Sequence, residues 1–419
     1  MPRRASRRSS TAGHHGSADA MQSRPVPAFE DPERRYRRRR ESGRCSGMQS
    51  IDMFSESARS ATLVDTVESW DEAASLSQPP LLVLDEICRF LDSRGLGDGP
   101  LRVRRIGEGH SNATFVVERR RFEAVLRRPP RPPYPKHAHN VLREARVQSA
   151  LAGSAVPVPQ ILAICEQNDV LGVPFYLMNL LDGHVITSSL PHSLDSGASR
   201  LTMIDSLVDS LVALHAVDPE EVGLDHLSRG ADFLTRQLQL FDQLWEANRV
   251  REIPAMDQAH RWLHDNRPTQ HGSTPMHGDY RLGNVMYAAD GSGTIAAVLD
   301  WELFSIGDPL LDVGYLISTF TEPGDPEGPL LELASVLRGG GFPGRAYVAN
   351  RYAAKSGRDL DDLRWYVAFA YWRTAIGLEG FYKRSLRGTI DDAFVRDLEV
   401  GIPRLAESAL ATALGGSFI

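Results

Sequence analysis

Three polar residues gathered by one short turn are where this chain offers chemistry. Residues 276–314 read MHGDYRLGNVMYAADGSGTIAAVLDWELFSIGDPLLDVG. Two apolar runs, 285–287 and 295–299, flank a turn built on Asp290, Gly291, Ser292 and Gly293, which is a β-hairpin pattern. In a hairpin the residue before the first strand lies beside the residue after the second. Asn284 and Asp300 hold those places, with Asp279 five residues ahead of Asn284. A carboxylate, an amide and a second carboxylate thereby meet at one end of one hairpin. Hard cations take such oxygen ligands, and magnesium combines one or two carboxylates with substrate phosphates.

Elements on both sides must position this group. Upstream, 81–95 (LLVLDEICRFLDSRG) has apolar residues at helical spacing and stops at Gly95, which predicts a helix. Strands follow at 101–106, 113–118 and 122–128, an antiparallel meander. The first turn of that meander is Gly107-Glu108-Gly109-His110-Ser111-Asn112. Its small residues and free backbone N–H groups suit a phosphate chain, although a tight turn needs glycine in any case. A helix is expected over 139–153, then two strands within VPVPQILAICE and VPFYLMNLLDG. Five strands and one helix make a small lobe. Its exit, 178–182, contains Asn179 and Leu181 and offers backbone groups to a planar base.

The rest reads as helical: 203–217, 232–247, 257–266, 310–320, 330–340 and 362–386 repeat apolar positions at the helical period. The domain expectation is therefore a small strand-rich lobe over 80–182 and a helical lobe over 183–415. Residues 1–48 stand apart, with 12 arginines against five acidic residues, a net charge of +7 in a chain whose total is −7. Almost no apolar residue is present there, so the head is expected to be disordered, with Met48 or Met53 as the native start. Binding of nucleic acid or an acidic surface by this basic arm is a lesser expectation, as is a targeting role for its Arg/Ser-rich start, whose twin arginines lack a following apolar region and an amphipathic stripe. Three separated cysteines predict neither disulfides nor a zinc site, and fit a cytoplasmic protein. No apolar run approaches the roughly 18 residues of a membrane span.

HGDYRLGN (277–284), VLDWE (298–302) and GDPLLDVG (307–314) together resemble the catalytic core of the aminoglycoside/choline phosphotransferase family. GEGHSNATF, VLRRPP, REARV and LHAVD appear in the same order. The similarity is greatest to the bacterial branch that resembles the kinase-like domain of some acyl-CoA dehydrogenases. The resemblance implies an α+β, protein-kinase-like bilobal fold with a small antiparallel-sheet lobe, 80–182, that binds nucleotide, and a larger helical lobe. It implies ATP and Mg2+ as cofactors and transfer of the γ-phosphate to a hydroxyl of a small molecule.

On that resemblance Asp279 is the catalytic aspartate that orients the acceptor hydroxyl, and Asn284 and Asp300 hold metal. Gly107, Gly109, His110, Ser111 and Asn112 cover the phosphates. Arg127 stands where the family's strand lysine falls and pairs with Glu144 of the following helix, with a fork geometry that a lysine lacks. His277 supports its loop by hydrogen bonding, and Asp308 and Asp312 are structural. Glu302 is a second-sphere metal contact or faces a cationic substrate. Arg373, Tyr382 and Arg384 are candidate acceptor contacts. The basic residues of 362–387 favour a neutral or anionic acceptor, such as a hydroxyacyl thioester or another small alcohol. An aminoglycoside-modifying kinase and a nucleotide-binding pseudokinase are the alternatives.

Overall fold

The computed structural model describes residues 65–418 apart from 108–111, 133–138, 229, 231, 327 and 389–393. The arginine-rich head lies outside the described residues, as do Gly109, His110 and Ser111 of the glycine turn.

Alternation along the strands assigns side chains to two faces. β1 (Thr66–Val67) and β2 (Leu82–Val83) form a short parallel pair. β3 (Asp98–Ile106), β4 (Ala113–Arg120), β5 (Phe122–Arg128), β6 (Ile161–Cys165) and β7 (Phe175–Asn179) form an antiparallel sheet in the order β3-β4-β5-β7-β6. Beside these strands lie α1 (Trp70–Ala73), α2 (Leu84–Asp92) and α3 (Val141–Leu151). Ala113, Phe115 and Val117 of β4 and Ala124 and Leu126 of β5 share a buried cluster with Ile87 and Leu91 of α2. Successive strand side chains point to opposite faces, so Arg127 projects to the other side. There Val141 and Ala145 of α3 pack on Tyr176 of β7, which is the cross-strand partner of Arg127. Glu144 follows Val141 by three residues and shares its helix face.

The remaining chain folds as α4 (Gly197–His215), α5 (Phe233–Asn248), α6 (Pro254–Asp265), α7 (Leu310–Thr319), α8 (Arg345–Ser356), α9 (Leu363–Leu386) and α10 (Phe394–Ala413). Five short strands are set among them: β8 (Gly183–Val185), β9 (Thr274–Met276), β10 (Val285–Ala288), β11 (Ile295–Val298) and β12 (Ser305–Gly307). Leu207, Leu211, Met256, Leu263, Val313, Phe369 and Ile402 belong to one core. The architecture is α+β, a small antiparallel-sheet lobe with a larger helical lobe. No described helix is long and apolar enough to cross a membrane.

The hairpin at 285–298 forms with Val285 opposite Val298, and the Leu299 N–H donates to the Asn284 carbonyl at 2.8 Å. It is not a free-standing pair, because β8 adds a third strand on the outer edge of β10. Three further differences from the sequence expectations have local causes. Residues 82 and 83 pair with β1, so the helix expected from 81 begins at Leu84. The stretch 331–339 is 3₁₀ turns broken at Ala334 (φ −151°, ψ 40°), not a regular helix. Its backbone bonds elsewhere: Thr321 Oγ1 donates to the Ala334 carbonyl at 2.7 Å and the Val336 N–H to the Thr187 carbonyl at 3.0 Å. Finally, α8 and α10 were not expected; α10 carries Pro403 inside it, a residue that argues against a helix in sequence.

The helical lobe closes where α7 meets α9. A Cβ on Gly314 would stand 2.6 Å from the Tyr366 carbonyl carbon and 2.7 Å from its oxygen. Gly314→Ala is therefore expected to lower unfolding free energy by about 1–3 kcal/mol. Gly377, on α9 with nothing within 4 Å of its virtual Cβ, is the control. Gly377→Ala should be neutral or stabilising by about 0.5–1 kcal/mol in the same urea titration. Equal effects at the two sites would contradict the close-approach account.

Candidate active site

The loop that carries Asp279 is held from behind. Met276, the last residue of β9, pairs with Ser305 of β12, which sets 277–279 against 300–304. Gly278 has φ +87°, and a Cβ there would lie 2.6 Å from the Leu303 carbonyl oxygen, so the position accepts glycine alone. Asp312, buried in the first turn of α7, receives the His277 N–H at 2.7 Å and the Gly278 N–H at 2.8 Å. His215 Nε2 also donates to it, at 3.3 Å, while His215 Nδ1 accepts from the Tyr352 hydroxyl at 2.7 Å. Burial works to raise the Asp312 pKa, but the His215 hydrogen bond, the nearby imidazoles and the Gly278 N–H outweigh it and hold the carboxyl below its usual range.

His277 is fully engaged. Its Nδ1 accepts the Asp279 N–H at 3.2 Å, so the ring proton sits on Nε2 and is donated to the Leu299 carbonyl at 2.7 Å. Asp308 plays a parallel role, accepting from the Leu310 N–H at 3.0 Å, the His271 N–H at 2.8 Å and the Tyr366 hydroxyl at 2.8 Å.

Asp279 stands at the front of this scaffold. Asn284 Nδ2 donates to its Oδ2 at 2.6 Å and to its backbone carbonyl at 2.8 Å. Arg281 Nε approaches the same Oδ2 at 3.6 Å, and the buried Tyr315 hydroxyl hydrogen-bonds the carboxylate. Burial, then the Asp279 charge, raise the Tyr315 pKa, so this phenol stays a donor. Neither Arg281 nor Tyr315 was singled out in sequence. Arg281 lies inside the HGDYRLGN run, and Tyr315 follows Asp312 by three residues on a helix, which places both on one face.

Arg127 forms the second half of the site. Its Nε lies 3.0 Å from Glu144 Oε1, and its Nη2 pairs with Asp300 Oδ1 across the gap between the lobes. Burial acts to lower the Arg127 pKa, but Glu144, Tyr176, Asp300 and Glu302 together raise it, so the guanidinium is a fixed cation. Burial pushes Glu144 up to about 7 against the pull of Arg127, with Asp300 and Glu302 adding to the rise. Glu144 is thus the member of the pair that takes a proton first. Asn112 Nδ2 donates to Glu144 at 3.3 Å and its Oδ1 faces His139 Nδ1 at 3.2 Å, so this end of the glycine turn is tied down internally.

The donor set suits a hard cation. Asn284 spends its Nδ2 on Asp279, which leaves the amide oxygen as its remaining ligand atom, and Asp300 already sits against one positive charge. Asp300 occupies the left-handed region (φ 64°, ψ 61°) at the start of a 3₁₀ turn that ends at Leu303. Arg143 of α3 donates to the carbonyls of Glu302, at 3.5 Å, and Phe304, which docks the helix on the loop just beyond Asp300.

The other candidates divide. Gly107 has φ +76° where β3 ends. Asn179 Oδ1 accepts the Gln160 N–H at 2.7 Å, so its side chain is spent within the sheet, and Leu181 is half-buried. Glu302 lies near enough to Arg127 and Glu144 to act on both. Arg373 donates to the Gly278 carbonyl at 2.9 Å and lies 4.6 Å over the Tyr315 ring, so it braces the loop of Asp279 from α9. Tyr382 and Arg384 lie further along α9, Arg384 by eleven residues or about 16 Å. Tyr382 carries Arg251 at 4.8 Å and Arg384 stacks on Phe381 at 5.5 Å, away from the Asp279 cluster.

Comparison with known proteins gives a consistent picture. Residues 102–366 match the model of the APH phosphotransferase enzyme family. Acyl-CoA dehydrogenase family member 10 of Mus musculus is 32% identical over 305 residues, covering 70% of this chain and 28% of that protein. The chain spans between 28% and 40% of the length of the first curated relatives it matches. A crystal structure described as a putative aminoglycoside phosphotransferase from Ralstonia eutropha is 30% identical, with TM-score 0.68, covering 80% of this chain and 98% of that one. The GDP complex of aminoglycoside 2'-phosphotransferase-IIIa, at 17% identity and TM-score 0.52, covers 74% and 92% and shares the fold. The two-lobed arrangement is the protein-kinase-like one of these structures.

Asp312→Asn leaves two backbone N–H groups facing an amide and should cost about 2–4 kcal/mol at pH 7. Because the folded pKa is depressed, the stability contributed by the carboxylate is complete above its unfolded pKa and disappears as pH falls through the folded value. The gap between wild type and variant in urea unfolding should therefore shrink below about pH 4. A gap that stays constant down to pH 3 would remove Asp312 from this role.

Proposed function

Because the chain belongs to the APH phosphotransferase enzyme family, we propose that it is an ATP- and magnesium-dependent small-molecule kinase that phosphorylates an alcohol. The observation that carries this is the Asp279 carboxylate clamped by Asn284 at 2.6 Å. Asn284 and Tyr315 leave the carboxylate one orientation in which to accept a hydrogen bond from an acceptor hydroxyl. As the hydroxyl oxygen bonds to the γ-phosphorus and the bond to ADP breaks, the hydroxyl proton passes toward Asp279. Mg2+ held by the Asn284 amide oxygen and Asp300 would neutralise charge on the phosphate oxygens. Arg127 is the fixed cation on the sheet side, and Glu144 with Asn112 keeps it in place. Gly107 and the turn that follows it are assigned to the phosphates, with backbone groups of 178–182 at the base.

The acceptor is proposed to be a small alcohol such as a hydroxyacyl thioester. The basic residues of α9 support this less than sequence suggests, since Arg373 is bound to the Gly278 carbonyl and Lys383 to the Ala247 carbonyl at 2.6 Å. Kinship with proteins named as acyl-CoA dehydrogenase family members is the stronger support. An aminoglycoside acceptor is the second reading, favoured by the description of the 30%-identical structure.

The test is ATP consumption with magnesium over pooled alcohols that include hydroxyacyl thioesters, choline, homoserine and aminoglycosides. Asp279→Ala and Asp300→Ala should each lower turnover by about 10²–10⁴-fold while circular dichroism stays that of the wild type. A folded wild type that binds ATP yet consumes none with any acceptor class would sink the proposal and leave a nucleotide-binding scaffold.

A further inference from the structure

Away from Asp279, the outer side of the helical lobe holds a second group of metal-ligating side chains. α5 and α6 are joined by residues 249–253, and side chains of the two helices meet at Asp242. His260 and His264 are four residues apart on α6, so their imidazoles share one face of the helix. Asp242 of α5 faces both. Its Oδ1 lies 3.0 Å from His260 Nε2 and its Oδ2 lies 3.2 Å from His264 Nε2. The two rings are 4.4 Å apart between centroids, and one ligand atom from each of the three residues falls within 4.8 Å of the others.

We propose that Asp242, His260 and His264 form a binding site for a zinc-class divalent cation that staples α5 to α6. A tetrahedral ion with bonds of about 2.0–2.2 Å needs ligand atoms roughly 3.3–3.5 Å apart. The two nitrogen–oxygen separations stand slightly inside that spacing, and side-chain rotation must draw the three ligand atoms, which all lie within 4.8 Å of one another, onto it. Two imidazoles with one carboxylate select zinc, nickel or copper over magnesium and calcium, which prefer all-oxygen sets. This makes the site chemically separate from the Asn284–Asp300 pair.

The charge balance points the same way. Among the described residues no lysine or arginine pairs with Asp242, which contacts the two imidazoles. A divalent cation seated among the three side chains would supply the positive charge that no lysine or arginine brings to Asp242. All three side chains are partly exposed, so the ion can enter from solvent and water can complete its coordination. His260 also lies 5.9 Å from the buried Trp372 ring, so the staple sits on a rigid part of the core.

The test uses the full chain, stripped with a chelator and dialysed against zinc in excess magnesium, with bound metal read by mass spectrometry. His14 and His15 add background binding, so the informative quantity is the difference between wild type and the variants His264→Gln and Asp242→Asn. Wild type should retain one more zinc than either variant, and magnesium should not displace it. Zinc at a hundredfold excess over Kd should raise the wild-type melting midpoint by about 4 °C, and that of His264→Gln by much less. Equal zinc uptake and equal thermal shifts in wild type and both variants would overturn the site, as would a wild type that takes up no zinc.

Discussion

A carboxylate removed from water must be met by donors or cations, and in this chain that requirement sets the joints of the fold. Glu144, Asp308, Asp312 and Glu379 are each at most 2% exposed. Asp312 gathers two N–H groups of the loop carrying Asp279 and reaches His215 of α4. Asp308 ties His271, the start of α7 and Tyr366 of α9. Glu379 takes the Val250 N–H at 3.2 Å and Arg251 at 3.2 Å, which joins α9 to the segment between α5 and α6. Glu144 belongs to Arg127. Breaking such a pair costs more than making it gains, because the survivor is left buried and alone.

That rule explains why an arginine can stand on β5. An ammonium is a point charge, whereas a guanidinium presents several N–H groups in a plane. Arg127 uses them for two carboxylates at once, one on α3 and one on the hairpin of the other lobe. Its neighbour Arg128 goes to the opposite face and closes on the carbonyls of Leu81 and Pro129. Strand alternation, with no difference in residue type, gives adjacent arginines these separate jobs.

Much of this was readable from the chain because it is local. β5 matches its expected span, the hairpin register follows from its turn, and Asn284 reaches Asp279 over five residues. The unread parts are long-range. Arg127 and Asp300 lie 173 residues apart, and nothing near either names the other. The strand at 183–185 gains its identity only by pairing with β10. The regular helix expected over 330–340 fails because Thr321 and Thr187 take its backbone groups. Tyr382 and Arg384 share a helix with Arg373, yet helical rise carries them away from the loop that Arg373 braces.

Asp300 carries a cost that no packing argument explains. A left-handed conformation at a residue with a Cβ costs on the order of 1 kcal/mol, and glycine adopts it freely. Glycine at 300 would relieve that backbone cost but would leave the largely buried Arg127 guanidinium with one carboxylate fewer, which costs more than the relief returns. The ion pair between the lobes thus holds a non-glycine residue in a backbone conformation that glycine adopts freely, and thermal selection alone would keep aspartate at 300.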